Sequence, residues 1–412
     1  MDPNDRLDKR PFFKGFLAIL VMTGGIGLAS FAPPASANAT PGFEPFMQSA
    51  GVWLLNQQRP DGSFPNSVAD PPTLTFASVQ SPSGLGLLSS WVATEDDDFL
   101  DAAVAAGDFL LNGGFRLFPG TGEPEIRTFD PLFFVRLSDA TGDPAYADFI
   151  QDNFWDPLAA GTYGPDGDWD IADYVAAEIS RRASVGRAAA AWDLSLIAAA
   201  AEEAGVTDFR AGLAAGAREA LGFAPDPDYV LGSRGFDLLG LAGAVWMGAL
   251  TGQSVTPTAG PWAGLSLKDM AAALIANQAP RGSFLQSSAA FSSPIDVGQT
   301  VSQTTSFALL ALDAIDSTLY FSQISRGLNS LIEDFQVTGG RISYFHPDAD
   351  LGTAGDTKPF PYVSAYVLFS VNETRDPEPF EPVPVPIFGA WGLAVLLLMM
   401  LSLGWVAVRV RQ

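Results

Sequence analysis

The chain has no cysteine and only one histidine, His346, among 412 residues. Lack of cysteine excludes disulfides, thiolate metal sites, iron–sulfur clusters and cysteine nucleophiles. A lone imidazole excludes a histidine-rich zinc site and any mechanism that needs two. Basic residues are also scarce: 22 Lys and Arg against 46 Asp and Glu give a formal charge of −24. A field of that sign repels phosphate backbones and anionic lipid headgroups, so no nucleic-acid partner is expected. What is abundant is apolar: 48% of the residues are hydrophobic, enough for one large or two ordinary domains.

Both ends read as addresses. Arg6, Lys9, Arg10 and Lys14 precede the run GFLAILVMTGGIGLASF, and the small residues ASANA follow. This is the three-part pattern of a secretory signal, so residues 1–39 are expected to be a signal peptide with cleavage after Ala37 or Ala39. An uncleaved anchor is the alternative, but the run is short and broken by glycine for a span of about 20 residues. Near the other end, prolines crowd residues 376–386 and suit a semi-rigid stalk. Residues 387–408 then run without a charge, long enough to cross a bilayer as a helix, and Arg409 and Arg411 in the basic end 409–412 are expected on the cytoplasmic side. The bulk of the chain, residues 40–375, is expected outside the cytoplasmic membrane, anchored to it or carried to the cell surface.

Across 40–375 helical periodicity dominates. Segments Phe99–Gly114, Asp143–Trp155, Ser184–Gly205, Asp208–Gly222, Asp237–Gly252, Leu267–Gln278, Ser302–Ile315 and Phe321–Phe335 repeat apolar residues at three and four spacing and are rich in alanine and leucine. Asp143 before Pro144 reads as an N-cap, and Gly205 as a helix stop. Several of these segments are apolar on most faces and belong between neighbours. A short motif recurs among them. Trp53-Leu54-x3-Gln58-x3-Gly62-x-Phe64 superposes on Leu274, Gln278, Gly282 and Phe284; weaker copies lie at Gln336 and Gly340 and near Phe109. One active site seldom needs several copies, so the motif reads as a structural joint.

This spacing resembles the QW repeat of squalene and oxidosqualene cyclases, with phenylalanine where that family has tryptophan. The resemblance implies the all-α α/α toroid of terpenoid cyclases and protein prenyltransferases, an inner and an outer ring of antiparallel helices. The C-terminus, in turn, resembles IPTL- and PEP-type sorting tails: Pro386, Trp391 and Gly392 match, followed by the apolar helix and terminal arginines, whereas the positions between proline and tryptophan depart. That resemblance implies handling by an exosortase-like membrane transpeptidase; a plain membrane anchor is the other reading.

The chemistries associated with such a fold are mostly missing. The D-x-D-D acid of the class II cyclases does not occur, and Glu95–Asp98 reads as a solvated helix start. Prenyltransferase zinc sites and thioester proteins need cysteine. Asp166, Asp168, Asp170 and Asp173 have the density of hard oxygen ligands that suits Ca²⁺, although EF-hand position six is Ile171 and position twelve Ala177; capping of the next helix competes with this reading. His346 and Tyr344, on a Gly- and Pro-rich loop, form a candidate catalytic pair for proton transfer. Arg127, Arg181, Arg182, Arg234 and Gln299 lie near loops where the inner helices of a toroid begin; facing a central cavity and pairing with the many carboxylates are both open to them, and sequence alone assigns them no role. The first expectation for function is binding of a glycan or a small apolar ligand in the toroid's mouth. An extracytoplasmic lyase or hydrolase acting on carbohydrate is the alternative, and a terpenoid cyclase the third.

Overall fold

A computed structural model describes residues 42–67, 77–184, 186–223, 236–286, 300–337, 339–344 and 360–374. The segments read as signal peptide, stalk, spanning helix and basic end lie outside the described residues, as do His346, Arg234 and Gln299. No helix among the described residues is long and apolar enough to cross a membrane.

Fourteen helices follow one another, joined by turns and isolated β-bridges without a named strand among the described residues. They are α1 (Phe43–Leu55), α2 (Ala77–Thr94), α3 (Asp97–Phe109), α4 (Asp130–Thr141) and α5 (Pro144–Ile150). Next come α6 (Asp156–Ala160), α7 (Ile171–Arg181), α8 (Ala190–Glu203), α9 (Arg210–Gly222) and α10 (Asp237–Thr251). The last are α11 (Leu267–Ile275), α12 (Ser302–Asp316), α13 (Phe321–Asn329) and α14 (Pro361–Thr374).

Six of them close a ring: α2 packs on α4, α4 on α8, α8 on α10, α10 on α12, α12 on α14, and α14 back on α2. The others cover that ring from outside, so the chain is an α/α toroid. Burial follows from composition. In α8 every residue from Ala190 to Ala201 is buried, and in α12 every residue from Ser302 to Leu312, as expected of helices that are apolar or small on all faces. The outer helix α13 instead buries only Ile324, Gly327 and Leu328. At the C-terminal ends of the inner helices, Arg136 on α4 ties Glu203 on α8 (2.6 Å) to Glu373 on α14 (2.7 Å) and lies over Phe369.

The repeated motif builds three related joints, two of them alike in detail. After α1, the Gln58 amide donates to Gly62 O (3.0 Å) within its own turn and to Ala102 O (2.7 Å) on the next outer helix, α3. After α11, Gln278 donates to Gly282 O (2.8 Å) and to Gln323 O (2.9 Å) on α13. Gly62 and Gly282 have φ of +87° and +110°, and a Cβ on either would lie 2.2 and 2.1 Å from the carbonyl oxygens of Ala105 and Arg326. Only glycine satisfies both the backbone angle and the close approach. Gly340, the third, lies against Ser49 O on α1 in the same way, so the last joint clasps the first helix.

Each joint then hands its chain to an inner helix. The Phe64 N–H donates to Gln80 on α2 (2.6 Å), the Phe284 N–H to Thr305 on α12 (2.9 Å), and the Ile342 N–H to Ser364 on α14 (3.2 Å). Phe64 and Phe284 are both fully buried, and Trp53 packs on the core from a half-buried position. The segment near Phe109 differs. There α3 ends in a widened turn over Leu110–Gly114, the Asn112 amide turns back to its own Asp108 O (2.8 Å), and no backbone approaches Gly113.

Candidate functional site

All six inner helices begin around one cavity of about 990 Å³. Ser78 and Val79 of α2, Asp130 of α4, Trp192 of α8, Phe236 before α10, Gln303 of α12 and Tyr362 of α14 reach it from their first turns or the residue ahead. Helix N-termini carry partial positive charge, so their convergence favours a negative ligand. The side chains point the same way. Four arginines, Arg116, Arg127, Arg181 and Arg182, line the cavity of a protein in which acids outnumber bases about two to one.

Those arginines are held by carboxylates at or behind the wall. Glu125 pairs with Arg116 (3.0 Å) and with Arg127. Asp193, fully buried on α8, accepts from Arg182 through both oxygens at 2.5 Å and lies 3.3 Å from Arg181, which also pairs with Glu178. Paired in this fork geometry the guanidiniums are fixed in place. Arg182 also sits over the Trp192 ring, 5.3 Å from its centroid.

Continuing from Trp192 is an aromatic wall. Phe129 stacks on Tyr366 (centroids 5.0 Å, 10°), Trp192 meets Tyr366 edge-on at 5.8 Å, and Tyr362 follows at 5.5 Å from Tyr366. Burial pushes the Tyr362 hydroxyl up to about 12 and raises Tyr366 and Tyr344 further, so these phenols act as hydrogen-bond donors at neutral pH.

Asp130 is the unusual group. It is the first residue of α4, next to Pro131, and 93% of it is hidden from solvent. Its carboxyl accepts from the Ser81 hydroxyl (2.5 Å) and from the Arg127 N–H (2.7 Å). Desolvation nevertheless dominates and pushes its pKa up to about 7; the two hydrogen bonds and the Arg127 charge act against that rise, and Glu125 adds to it. The preceding Thr128 has φ +27°, a sparsely populated conformation that turns the chain into this corner.

Of the residues singled out in the sequence, Arg127, Arg181, Arg182 and Tyr344 line the cavity. The Tyr344 carbonyl also accepts from the Ser302 N–H (2.9 Å), fixing it beside α12. Its proposed partner His346 lies outside the described residues. Among the described residues no group of three or more His, Asp or Glu is placed to hold a metal ion. Asp170 caps α7 by accepting from Ala172 N (2.7 Å) and Asp173 N (3.1 Å), and Asp173 returns a bond to Asp170 N, so these carboxylates are engaged by backbone. Asp130, Glu125, Trp192 and Tyr366 are cavity residues that sequence reasoning did not single out. The Asp-Pro at 130–131 carried a signal for the first of them, since it marks a helix start.

The sequence matches no protein-family model, and no curated protein matches it. Solved structures do resemble the fold. An unsaturated glucuronyl hydrolase responsible for the degradation of glycosaminoglycan, from Bacillus sp. GL1, is 13% identical with a TM-score of 0.51, over 81% of this chain and 97% of that one. The cellobiose 2-epimerase from Spirochaeta thermophila is 14% identical with a TM-score of 0.50, over 82% and 98%. The type II terpene cyclase MstE from Scytonema is 15% identical with a TM-score of 0.47, over 81% and 98%. At identities this low the first two likenesses show the toroid fold alone and leave chemistry to the site.

Proposed function

We propose that this protein is an extracytoplasmic carbohydrate-active enzyme that hydrolyses an anionic saccharide, with Asp130 as its general acid. The observation that carries this reading is a carboxyl holding its proton up to about pH 7 on the wall of an arginine-bearing, aromatic cavity. A proton donor near neutral pH is what protonation of a glycosidic oxygen requires, and a purely binding surface has no use for one. Glu125, ion-paired with Arg116 and Arg127, is the second carboxyl of the site and serves as the base toward water. The aromatic wall offers flat faces to sugar rings, and the arginines offer counter-charge to a uronate or similar group.

Structural neighbours at TM-scores of 0.50 and 0.51 are named for saccharide chemistry, which accords with this class. Non-catalytic binding, the first expectation from sequence, leaves the raised Asp130 unexplained. A hydrocarbon substrate would strip water from four arginines without replacing it, which disfavours a terpenoid cyclase. Export by residues 1–39, anchoring by 387–408 and recognition of the tail by an exosortase-like transpeptidase complete the proposal; cell fractionation with and without the tail tests them.

The enzymatic reading is tested by incubating purified protein with uronate-containing oligosaccharides and identifying products by mass spectrometry. Cleavage that falls on the order of 100-fold or more in Asp130→Asn is expected. No cleavage of any acidic saccharide, or equal turnover by the variant, would overturn it.

A further inference from the structure

Next to the main cavity lies a second depression, of about 340 Å³, that shares Glu125, Arg127 and Arg181 with it. Both volumes fall in the range of roughly 300–1,000 Å³ typical of small-molecule sites. One side of the depression is α7, presenting half-buried Ala177 and exposed Ser180; the other is formed by Phe118 and Trp169. Trp169 is held rigidly although it is only partly buried. Its ring meets Phe118 edge-on at 5.7 Å and Tyr163 at 6.4 Å, and it lies flush on Gly164, where a Cβ would come within 2.3 Å of the indole. Tyr174 on the same wall is 98% hidden, and its hydroxyl has no hydrogen-bond partner among the described residues.

We infer that this groove is a second saccharide subsite, so that the substrate is a chain of sugars lying across the Arg127–Arg181 sill with one ring stacked on Trp169. The inference rests on the saccharide reading of the main cavity. A fixed, partly exposed indole beside a groove is a surface on which the apolar face of a pyranose can lie. Tyr174 supplies a donor whose need a sugar oxygen would meet. Because Arg127 and Arg181 border both spaces, acidic groups on adjacent sugars meet the same cations, and an anionic chain fits better than a single acidic sugar.

The test compares kcat/KM of the full-length protein on uronate oligosaccharides of two and four units. The wild type is expected to prefer the longer substrate by about tenfold, the scale of one stacked ring. Trp169→Ala should bring the ratio of the two toward one. Ala177→Trp should do the same by filling the groove from a half-buried helix position, and decides the matter if Trp169→Ala fails to fold. Binding of the four-unit chain to Asp130→Asn, by titration calorimetry, provides a readout independent of turnover. Cleavage with an unchanged length ratio in both variants overturns the subsite alone. Absence of both cleavage and binding overturns the subsite together with the saccharide reading.

Discussion

The Gln336 amide donates to the Ser49 hydroxyl at 2.7 Å, joining residues 287 apart and fastening the last joint of the toroid to its first helix. At the other two joints the glutamine reaches a helix carbonyl directly. Here Ser49 stands between, passing its own proton to Phe46 O at 3.2 Å. The closure is therefore a relay in which each member depends on the other. Ser49→Ala and Gln336→Ala should each cost about 1 kcal/mol, and the double variant little more than either alone. Urea unfolding of the four proteins measures the coupling; strictly additive costs would remove the relay from the account of ring closure.

Glycine at the joints should be far less replaceable than glycine elsewhere at positive φ. At Gly113, φ is +99° and no atom of the described residues lies within 4 Å of an added Cβ, so Gly113→Ala costs only the backbone term of about 1–2 kcal/mol. At Gly62 the same backbone term is joined by a Cβ 2.2 Å from Ala105 O, which neither α1 nor α3 can relieve without breaking the Gln58–Ala102 bond. Gly62→Ala should lose roughly 3–5 kcal/mol. Midpoints of thermal unfolding that fall equally for the two variants would contradict this.

How much of this was legible beforehand follows from where each signal resides. The joint glycines and glutamines are local and repeat, so their spacing shows in the sequence. Alanine- and leucine-rich helices such as α8 and α10 are visible too, because propensity and burial agree there. Helices α2 and α14, whose contact closes the inner ring, are not. The first reads ASVQSPSGLGLLSSWVAT, with Pro82 and serines that locally favour turns, and the second is rich in β-branched and aromatic residues. Close packing against neighbouring helices overrides those preferences. Three of the four cavity arginines, Arg127, Arg181 and Arg182, stood out near loops ahead of helices and Arg116 did not, whereas the helix-start signal at Asp130-Pro131 is shared with Asp143-Pro144 and Asp156-Pro157 and did not set Asp130 apart. Its distinction is burial, a property of the assembled ring.

Arg182 and Asp193 make a second test of the cavity wall. Asp193 is fully buried, and with Arg182 removed Arg181 at 3.3 Å is the one cation left facing it among the described residues. Arg182→Met should therefore destabilise the fold by about 3 kcal/mol, through a buried carboxylate left under-compensated. Adding Asp193→Leu should restore part of the loss, since two apolar side chains replace an ion pair without stranding a charge. Chemical denaturation of the single and double variants reads this directly. A double variant less stable than Arg182→Met would mean that Asp193, through Arg181 alone, is already compensated, against the stranded-charge account.

Asp130 links stability and activity to pH in the same direction, both falling as pH rises toward 7. Its carboxyl titrates near 7 in the folded chain and near 3.8 in the unfolded one, so between those values the folded state holds the extra proton. Stability therefore falls as pH rises through that window, by up to about 4 kcal/mol, and the cost is fully present above pH 7. An asparagine keeps the shape: its oxygen can accept from the Arg127 N–H while its amide donates to Ser81, and it carries no charge to desolvate. Asp130→Asn should thus match the wild type in melting temperature near pH 4 and exceed it at pH 8. Saccharide cleavage by the wild type should decline along an alkaline limb centred near pH 7 as the proton is lost. A variant less stable than wild type at pH 8, or a cleavage rate flat from pH 6 to 9, would show that Asp130 is not the protonated group of this site.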